Sequence, residues 1–313
     1  VWVPVEAAGI TRRLGQGNTP QQSVMRRAAL SVLPGVVAYW PVEDVEVSTQ
    51  IASGTAAGKP LSVTGEPDWE AATNIPSSGP FAAAGASRWR GQIPAYTTAS
   101  GDTIVRFLLT TTGSITNGAI ILRTVTTGTS ARHEIVYTTA GSGSLTVNFY
   151  NSAGTLITST GALDIGVDDG SFWLNLSLRQ TGGTAHSSFA QYPLGHPLSD
   201  STLTIITSSP GETTGILSYI EVFPNLNGAG AAVGHITVQA ADAGLTFDTP
   251  EIAIANAYAG EAAGERIARL CGEESIELVV PGGVDLGDTS AAGAQRVETL
   301  LTLLQEAADA DGG

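Results

Sequence analysis

The chain has little of what many functional classes require. Its 313 residues include one cysteine, Cys271, and one methionine. A single cysteine excludes an internal disulfide and any cysteine-based zinc cluster. Aromatic residues make up only 6% of the chain and charged residues only 14%. No apolar run approaches the roughly 18 residues of a membrane span, so we expect a soluble protein with no membrane span.

Basic residues are also scarce, since 14 Lys and Arg stand against 29 Asp and Glu, giving a formal charge of −15. This excess of negative charge argues against nucleic acid or an anionic membrane as the main partner. Gly, Ser, Thr and Ala dominate instead, which is typical of extracellular or virion β-proteins whose surfaces carry hydroxyls. The length predicts about two domains. Neither end has the features of a natural terminus, so we expect a segment of a longer polypeptide.

The first zone predicts one strand and one helix. Val1–Val5 alternates like a strand, and Thr19 with Pro20 and Gln22 has the spacing of a helix start. The helix would run to about Ser31, with Val24, Met25 and Ala28 facing inward.

The middle zone, about 35 to 224, contains many short strands separated by Gly, Asn, Asp and Ser. The predicted strands are 103–110, 119–125, 133–138, 144–150, 155–158, 172–179, 184–190, 202–207 and 216–223. The clearest alternation is Phe172-Trp-Leu-Asn-Leu-Ser-Leu-Arg179. It places Phe172, Leu174, Leu176 and Leu178 in a core and Trp173, Asn175, Ser177 and Arg179 on the opposite face. The pattern predicts a two-sheet antiparallel sandwich.

The last zone, about 233 to 313, returns to helical spacing after strands near 235–238 and 245–247. Two amphipathic helices are predicted, at 261–274 and about 297–308, with a short strand at 276–280 between them. The predicted apolar stripes are Ala263, Ile267, Leu270 and Cys271 in one helix and Val297, Leu300, Leu301, Leu304 and Ala308 in the other. This unit is too small to bury both stripes alone, so we expect it to dock on a sheet.

Motifs for catalysis or metal binding are weak. Ala140-Gly-Ser-Gly-Ser144 lacks the spacing of a nucleophile elbow and favours a hairpin turn. The histidines, at 133, 186, 196 and 235, have no partner at ligand spacing. Glycosidases need two carboxylates across a cleft, but Glu43 and Glu46 would face opposite sides of a strand. Acidic residues 164–169 form a turn that suits Ca²⁺ or, more simply, water. We therefore predict no catalytic residue and no metal site.

Aromatic residues give the remaining prediction of a binding site. Trp173 on the polar face and Trp89 within Ser87-Arg-Trp-Arg-Gly91 are placed to stack on sugar rings, with Asn175 and Arg179 as polar neighbours. Packing against a neighbouring domain is the alternative role for both tryptophans.

Three stretches of the middle zone resemble laminin G-like, concanavalin A-type modules. Leu33-Pro-Gly-Val-Val-Ala-Tyr-Trp-Pro-Val-Glu-Asp44 is similar to their opening strand, Asp168-Asp-Gly-Ser-Phe-Trp-Leu-Asn-Leu-Ser177 to a middle strand, and Gly215-Ile-Leu-Ser-Tyr-Ile-Glu-Val-Phe223 to the closing strand. The histidine usual in the middle stretch is absent, and Ser218 replaces an aspartate in the last. The resemblance implies the sandwich but no calcium or ligand site.

The flanks resemble minor tail or tail-hub proteins of long-tailed actinobacterial phages and prophages. The resemblance is carried by residues 3–14, by Tyr258-Ala-Gly-Glu-Ala-Ala-Gly-Glu-Arg-Ile-Ala-Arg-Leu-Cys271 and by Ala294-Gln-Arg-Val-Glu-Thr-Leu-Leu-Thr-Leu-Leu-Gln-Glu-Ala-Ala-Asp-Ala-Asp-Gly-Gly313. It implies a virion location in the phage tail and, as partners, other tail proteins and further copies of the same chain.

The sequence thus predicts a mainly β fold, a jelly-roll sandwich (34–224) inserted into a small α+β hub-like domain (1–33 and 225–313). The predicted function is a structural tail protein whose sandwich binds host cell-surface carbohydrate or braces the tail tip. Alternatives are a glycan depolymerase of the sandwich-glucanase type and a free-standing secreted lectin.

Overall fold

The computed structural model describes residues 20–56, 58–98, 102–240 and 247–312. Its helices are α1 Val24–Val32, α2 Thr249–Ala255, α3 Ala263–Glu273 and α4 Leu300–Ala310. Its strands are β1 Val36–Trp40, β2 Gln50–Ile51, β3 Leu61–Thr64, β4 Asp68–Ala72, β5 Phe81–Gly85, β6 Arg88–Gln92, β7 Thr103–Thr111, β8 Ile120–Thr126, β9 Ser130–Thr138, β10 Ser144–Asn151, β11 Leu156–Ser159, β12 Leu163–Asp164, β13 Ser171–Thr181, β14 Thr184–Pro193, β15 Thr202–Pro210, β16 Leu217–Val222 and β17 Gly228–Gln239.

The strands form two antiparallel sheets. The first sheet has the order β15-β14-β13-β7-β17-β5-β4, with β1 also paired to β17. The second has the order β11-β10-β9-β8-β16-β6-β3-β2, with β12 paired to β10. This arrangement confirms the predicted mainly β, two-sheet sandwich, and each strand predicted between residues 103 and 223 is present.

The core lies between the sheets and follows from the alternation of apolar residues. In β13, Phe172, Leu174, Leu176 and Leu178 are buried, as predicted. The facing strands of the second sheet contribute Leu122, Ile135 and Val147 to the same core. Burying one face of each sheet against the other removes both from water and provides the main stabilisation of the sandwich.

The outer face of the first sheet is covered by helices. Residues of β13 that point away from the core, Trp173 and Asn175, are fully buried. Phe247, just before α2, contacts the Trp173 ring with the two ring centroids 5.1 Å apart. On the same face, Tyr39 of β1 donates a hydrogen bond to the Met25 carbonyl of α1. We call this outer side of the first sheet the covered face.

Several predicted boundaries differ from the structure. The first helix begins at Val24, because Ser23 caps it by accepting a hydrogen bond from the Arg26 backbone N–H. Val24, Met25 and Ala28 are buried as predicted. Val1–Val5, Thr19 and residues 245 and 246 lie outside the described residues. Strand β17 continues the first sheet between β7 and β5, so the sandwich extends past residue 224.

The last zone has the predicted helices, but the strand predicted at 276–280 is wrong. Residues 276–280 form irregular backbone, and Val279 is 80% exposed. Leu270 of α3 packs with Leu300 and Leu303 of α4 in a small separate cluster. The predicted α4 stripe is therefore rotated, because Leu303 and Ala307 are buried whereas Leu301 and Leu304 are only partly covered.

Candidate functional site

The structure buries both tryptophans that the sequence proposed for stacking on sugars. Trp173 is 0% exposed and packs under Phe247, so the predicted glycan-contact role of Trp173 is wrong in this fold. Alternation assigned Trp173 correctly to the face opposite Phe172, but helices and their connections cover that face. The alternative role, packing against the neighbouring unit, is the one observed.

Trp89 is also 0% exposed, and it faces the core of the sandwich. Its indole N–H donates to Ser87 Oγ over 2.8 Å. Arg90 beside it is exposed, since successive residues of β6 point to opposite faces. The site prediction for Trp89 is therefore also wrong, and the outward positions of β6 are occupied by arginines.

The two polar site candidates lie apart from one another. Asn175 is buried on the covered face, and Ser177 Oγ donates to its Oδ1 over 3.1 Å. Arg179, near the end of β13, pairs with the buried Asp102 through an Nε–Oδ2 distance of 3.1 Å. Asn175 is inaccessible, and the four residues predicted as one site do not come together.

The covered face contains a buried ion pair. Arg106 of β7 is fully buried and its Nη1 pairs with the Glu251 carboxylate of α2. The guanidinium carbon lies 5.6 Å from the Trp173 ring centroid and 5.3 Å from that of Phe247. Burial raises the pKa of Glu251, and the charge of Arg106 opposes that rise. Glu251 also completes the capping box of α2 with Asp248. This pair ties the helical segment to the sheet.

A second polar network on the covered face surrounds His235. A bulge in β17 shifts the register between Gly234 and Thr237, and His235 adopts a φ of +46° there. His235 Nδ1 lies 2.7 Å from Tyr39 Oη, and its Nε2 lies 2.7 Å from Ser78 Oγ. Glu43 Oε1 lies 3.2 Å from the same Nε2. The sequence predicts no carboxylate partner for any histidine, but the fold places Glu43 beside His235 over a long sequence separation and Asp200 Oδ2 2.9 Å from His196 Nδ1.

The His235 network resembles a catalytic triad in composition but not in arrangement. In a Ser-His-acid triad the serine and the acid contact different ring nitrogens, whereas here Ser78 and Glu43 share Nε2. Although burial alone raises the pKa of Glu43, hydrogen bonds from His235 and Gly79 and the His235 charge lower it to about 2. His235 is 0% exposed. The network is therefore suited to holding α1, β1 and β17 together rather than to attacking a substrate.

The outer face of the second sheet is open and carries a row of polar side chains. Directly paired residues share one face of a sheet, and the pairing runs without a gap from β2 to β11. The row is Gln50, Ser62, Arg90, Glu221, Arg123, Glu134, Asn148 and Ser159. At roughly 4.8 Å per strand it spans about 34 Å. We call this outer side of the second sheet the arginine face.

Ion pairs fix the centre of the arginine face. Arg123 Nε lies 2.8 Å from Glu134 Oε1, and its Nη1 lies 3.1 Å from Glu221 Oε2. Arg90 and Arg132 extend this chain at 3.7 and 3.4 Å from Glu221 and Glu134. The two glutamates are nearly buried, whereas the side chains of Arg90 and Arg132 are 45% and 35% exposed. The charged groups are thus held in place before any ligand arrives.

A second row of the arginine face carries two tyrosines, two aliphatic residues, one glutamine and one arginine. It consists of Gln92, Tyr219, Val125, Arg132, Tyr150 and Leu156. The Arg90 guanidinium lies 4.0 Å from the Tyr219 ring centroid, and Arg132 lies 4.2 Å from that of Tyr150. Two parallel rows, one rich in hydrogen-bonding groups and one with two rings, therefore cross the sheet perpendicular to its strands.

A groove of about 530 Å³ lies at one end of the sandwich, beside Tyr96 and Gln180. Tyr96 and Gln180 bind the loops, whereas Thr98 Oγ1 and Thr214 Oγ1, which also line the groove, are buried without a hydrogen-bond partner. Tyr96 Oη accepts from the Leu217 backbone N–H, and Gln180 bonds backbone groups of Gly182, Thr184 and Thr214. Tyr96 and Gln180 thus fix the loops at this junction.

The acidic turn considered for calcium forms local hydrogen bonds. Asp168 accepts from Tyr137 Oη at 2.7 Å, and Ser142 donates to Asp164 at 3.4 Å. Within residues 20–56, 58–98, 102–240 and 247–312, no group of three His, Cys, Asp or Glu side chains is placed to hold a metal ion. None of the helices described is long and apolar enough to cross a membrane.

Comparisons with known proteins identify similar folds but no family. No protein-family model and no curated protein sequence matches the chain. A solved structure of botulinum neurotoxin type C, whose cell entry depends on interaction with two ganglioside molecules, is 11% identical with a TM-score of 0.41, covering 69% of this chain and 50% of that one. The Ruminococcus gnavus IT-sialidase CBM40 bound to α2,3-sialyllactose is 13% identical with a TM-score of 0.32, covering 50% of this chain and 84% of that one. The exoplasmic/lumenal domain of VIP36, in its Ca²⁺/Man-bound form, is 9% identical with a TM-score of 0.33, covering 52% and 77%. The chain thus spans about half the length of the neurotoxin chain, and all three are β-sandwich likenesses at low identity.

Proposed function

We propose that this protein is a carbohydrate-binding β-sandwich and that its binding surface is the arginine face. The carrying observation is the unbroken polar row from Gln50 to Ser159 beside the parallel row containing Tyr219 and Tyr150. An extended polysaccharide offers hydroxyls along its length and apolar ring faces at intervals. A surface with both kinds of group in parallel rows, whose charged side chains are already fixed by ion pairs, is suited to such a ligand, because little side-chain freedom is lost on binding.

The test measures binding of the full chain to a panel of neutral and acidic polysaccharides by affinity electrophoresis. We expect Tyr219→Ala and Tyr150→Ala each to weaken binding by about tenfold, the effect of losing one aromatic contact of about 1.4 kcal/mol. Leu226→Ala is the matched control, because Leu226 is exposed but lies outside the arginine face. Unchanged affinity in both tyrosine variants would move the binding site elsewhere, and no binding to any polysaccharide would refute the proposal.

We further propose that the sandwich belongs to a phage minor tail protein, as the resemblance of the flanks implies. The exposed apolar residues Leu278, Val279, Val280 and Val284 support a role in an assembly, because such a patch is commonly covered by a partner. Sedimentation of the full chain, alone and with purified tails of a long-tailed actinobacterial phage, tests this part. Failure to associate with tails or with itself would favour a free-standing lectin.

An enzymatic role is the second candidate, and one observation bears on it. Glu134 and Glu221 lie on the same face on either side of Arg123, as a pair of glycosidase carboxylates would. Arg123 pairs with both carboxylates, so neither faces an open cleft. We therefore expect no release of reducing ends from any polysaccharide that the protein binds. Turnover that is lost in Glu134→Gln and Glu221→Gln would establish the enzyme instead.

A further inference from the structure

The arginine face has the opposite charge to the rest of the molecule. Four arginines of the second sheet point outward from it, namely Arg88, Arg90, Arg123 and Arg132. Three acidic residues share the face, namely Glu134 and Glu221, which are nearly buried, and the exposed Asp164 of β12, which pairs with Ser144. The whole chain has a formal charge of −15. A local excess of positive charge on so acidic a protein points to a ligand that carries negative charge itself.

The arginines differ in how far their charge is already neutralised. Arg123 lies between both glutamates and is 21% exposed. Arg90 and Arg132, at either end of the ion-pair chain, have longer contacts and greater exposure. Arg132 Nε is buried 3.4 Å from Glu134, so only the terminal nitrogens of this 35% exposed side chain can face a ligand. The end arginines therefore have donors left for a ligand, while Arg123 fixes the two glutamates between them.

We infer, resting on the proposed function, that the ligand is an anionic polysaccharide whose carboxylate or phosphate groups bind Arg90 and Arg132. Guanidinium groups form paired, charge-assisted hydrogen bonds with both kinds of anion. Arg90 in β6 and Arg132 in β9 are three strand spacings apart and two residues apart along the strands, so their backbones are separated by about 16 Å. The ligand therefore carries anionic groups at repeating intervals along an extended chain. Arg123 is a positioning residue, because it holds the two glutamates that orient the end arginines.

The experiment compares ligands that share a backbone and differ in charge. Polygalacturonate and its fully methyl-esterified form are the pair that shares a backbone, and a poly(glycerol phosphate), whose backbone is a polyol, supplies the phosphate. We expect the full chain to bind the acidic forms at least about tenfold more tightly than the ester. Raising the salt concentration should weaken acidic binding alone. Whichever acidic polymer binds more tightly identifies the source of the anion.

Single-residue variants test which arginines produce the preference for the acidic polymer. Arg90→Gln and Arg132→Gln should each remove most of the preference for the acidic form while retaining the residual affinity for the ester. Arg296→Gln makes the same change of charge at an exposed position outside the sandwich and should change nothing. Retention of the full acidic preference in both arginine-face variants would overturn the inference.

The remaining outcomes separate the inference from the proposed function. Equal affinity for the acidic polymer and its ester refutes anion selectivity and leaves carbohydrate binding standing. Absence of binding to all polymers, neutral ones included, refutes both. Equally tight binding of duplex DNA would show a general attraction to polyanions and would overturn the assignment to a polysaccharide.

Discussion

The two outer faces of the sandwich start from the same pattern and end in opposite environments. Strands of both sheets alternate apolar residues with Trp, Tyr, Asn, Ser, Arg and Glu. On the first sheet the outward residues are covered by α1, α2 and Phe247, and Arg106 with Glu251 is sealed from water. On the second sheet Arg90 and Arg132 remain accessible.

The difference shows that an aromatic or charged residue at an outward position of a sandwich strand can be either a buried structural residue or one in contact with water. On the covered face, the charges of Arg106 and Glu251 have lost their water and act as structural ties. On the arginine face, the side chains of Arg90 and Arg132 are 45% and 35% exposed and keep contact with water. Separating these roles requires variants of the same chemical type on each face.

The largest expected difference is between one large aromatic residue on each face. Trp173→Ala leaves a cavity beneath Phe247 and should lower the free energy of unfolding by about 4 to 5 kcal/mol. Tyr219→Ala, on the arginine face, should cost under about 1 kcal/mol. Urea denaturation of both variants measures the difference. Comparable losses would mean that the arginine face is itself packed in the native protein.

The next comparison breaks the buried ion pair of the covered face. Arg106→Met leaves the buried Glu251 carboxylate without a counter-charge, and we expect the free energy of unfolding to fall by about 3 to 4 kcal/mol. Adding Glu251→Gln removes the charge but retains an oxygen for the Asp248 N–H, so the double variant should regain at least about 1 kcal/mol. A double variant no more stable than Arg106→Met would assign the cost to packing around the rings rather than to charge.

Much of this architecture follows from local sequence, and the covering of one face does not. Strands between 103 and 223 are predicted because turn residues and alternation are local signals. The misassignment of Trp89 was avoidable, since its neighbours Arg88 and Arg90 already indicate the outward side. The burial of Trp173 could not be predicted from local sequence, because it depends on a segment about 75 residues later that folds back on the sheet.

The candidate site was missed for a related reason. The arginine face is assembled from residues on eight strands. Each strand contributes one residue to the polar row, and no local motif marks these residues. Pairs such as Arg132 with Glu134 in β9 and Tyr219 with Glu221 in β16 show the period of two, which indicates an outward face. Only the register between strands brings Arg90, Glu221 and Arg123 into line. Register over long sequence separations is set by the whole fold.

Glu43, in the His235 network of the covered face, should make the free energy of unfolding depend on pH in the acid range. The folded-state pKa of Glu43 is lowered to about 2, so its contribution is complete above its usual pKa near 4.5 and is lost as pH falls toward 2. This amounts to at most roughly 3 kcal/mol. Glu43→Gln should remove that part of the acid dependence, whereas Glu46→Gln, at an exposed position, should retain it.

Another buried group contributes to the same titration and must be separated from Glu43. Burial lowers the pKa of His133 to about 3, so folding holds it neutral where the unfolded chain takes up a proton. Stability therefore begins to fall below about pH 6.5 in every variant that retains His133. Chemical denaturation from pH 7 to 2.5 distinguishes the two windows. A Glu43→Gln curve parallel to that of the unmodified protein below pH 4.5 would show that the His235 network does not hold Glu43 ionised.

The smallest expected effect concerns the end arginines of the arginine face. Their ion pairs are longer than 3.3 Å and exposed on the arginine side only, and Arg123 remains to pair with both glutamates, so we expect a small contribution to stability. The double variant Arg90→Gln/Arg132→Gln should change the free energy of unfolding by less than about 0.5 kcal/mol. Arg123→Gln should cost more, because it leaves Glu134 and Glu221 without their shared partner. A loss above about 1.5 kcal/mol in the double variant would make the end arginines structural, as Arg106 is on the covered face. If the double variant loses polysaccharide binding while its free energy of unfolding is unchanged, the end arginines serve in binding and contribute little to stability.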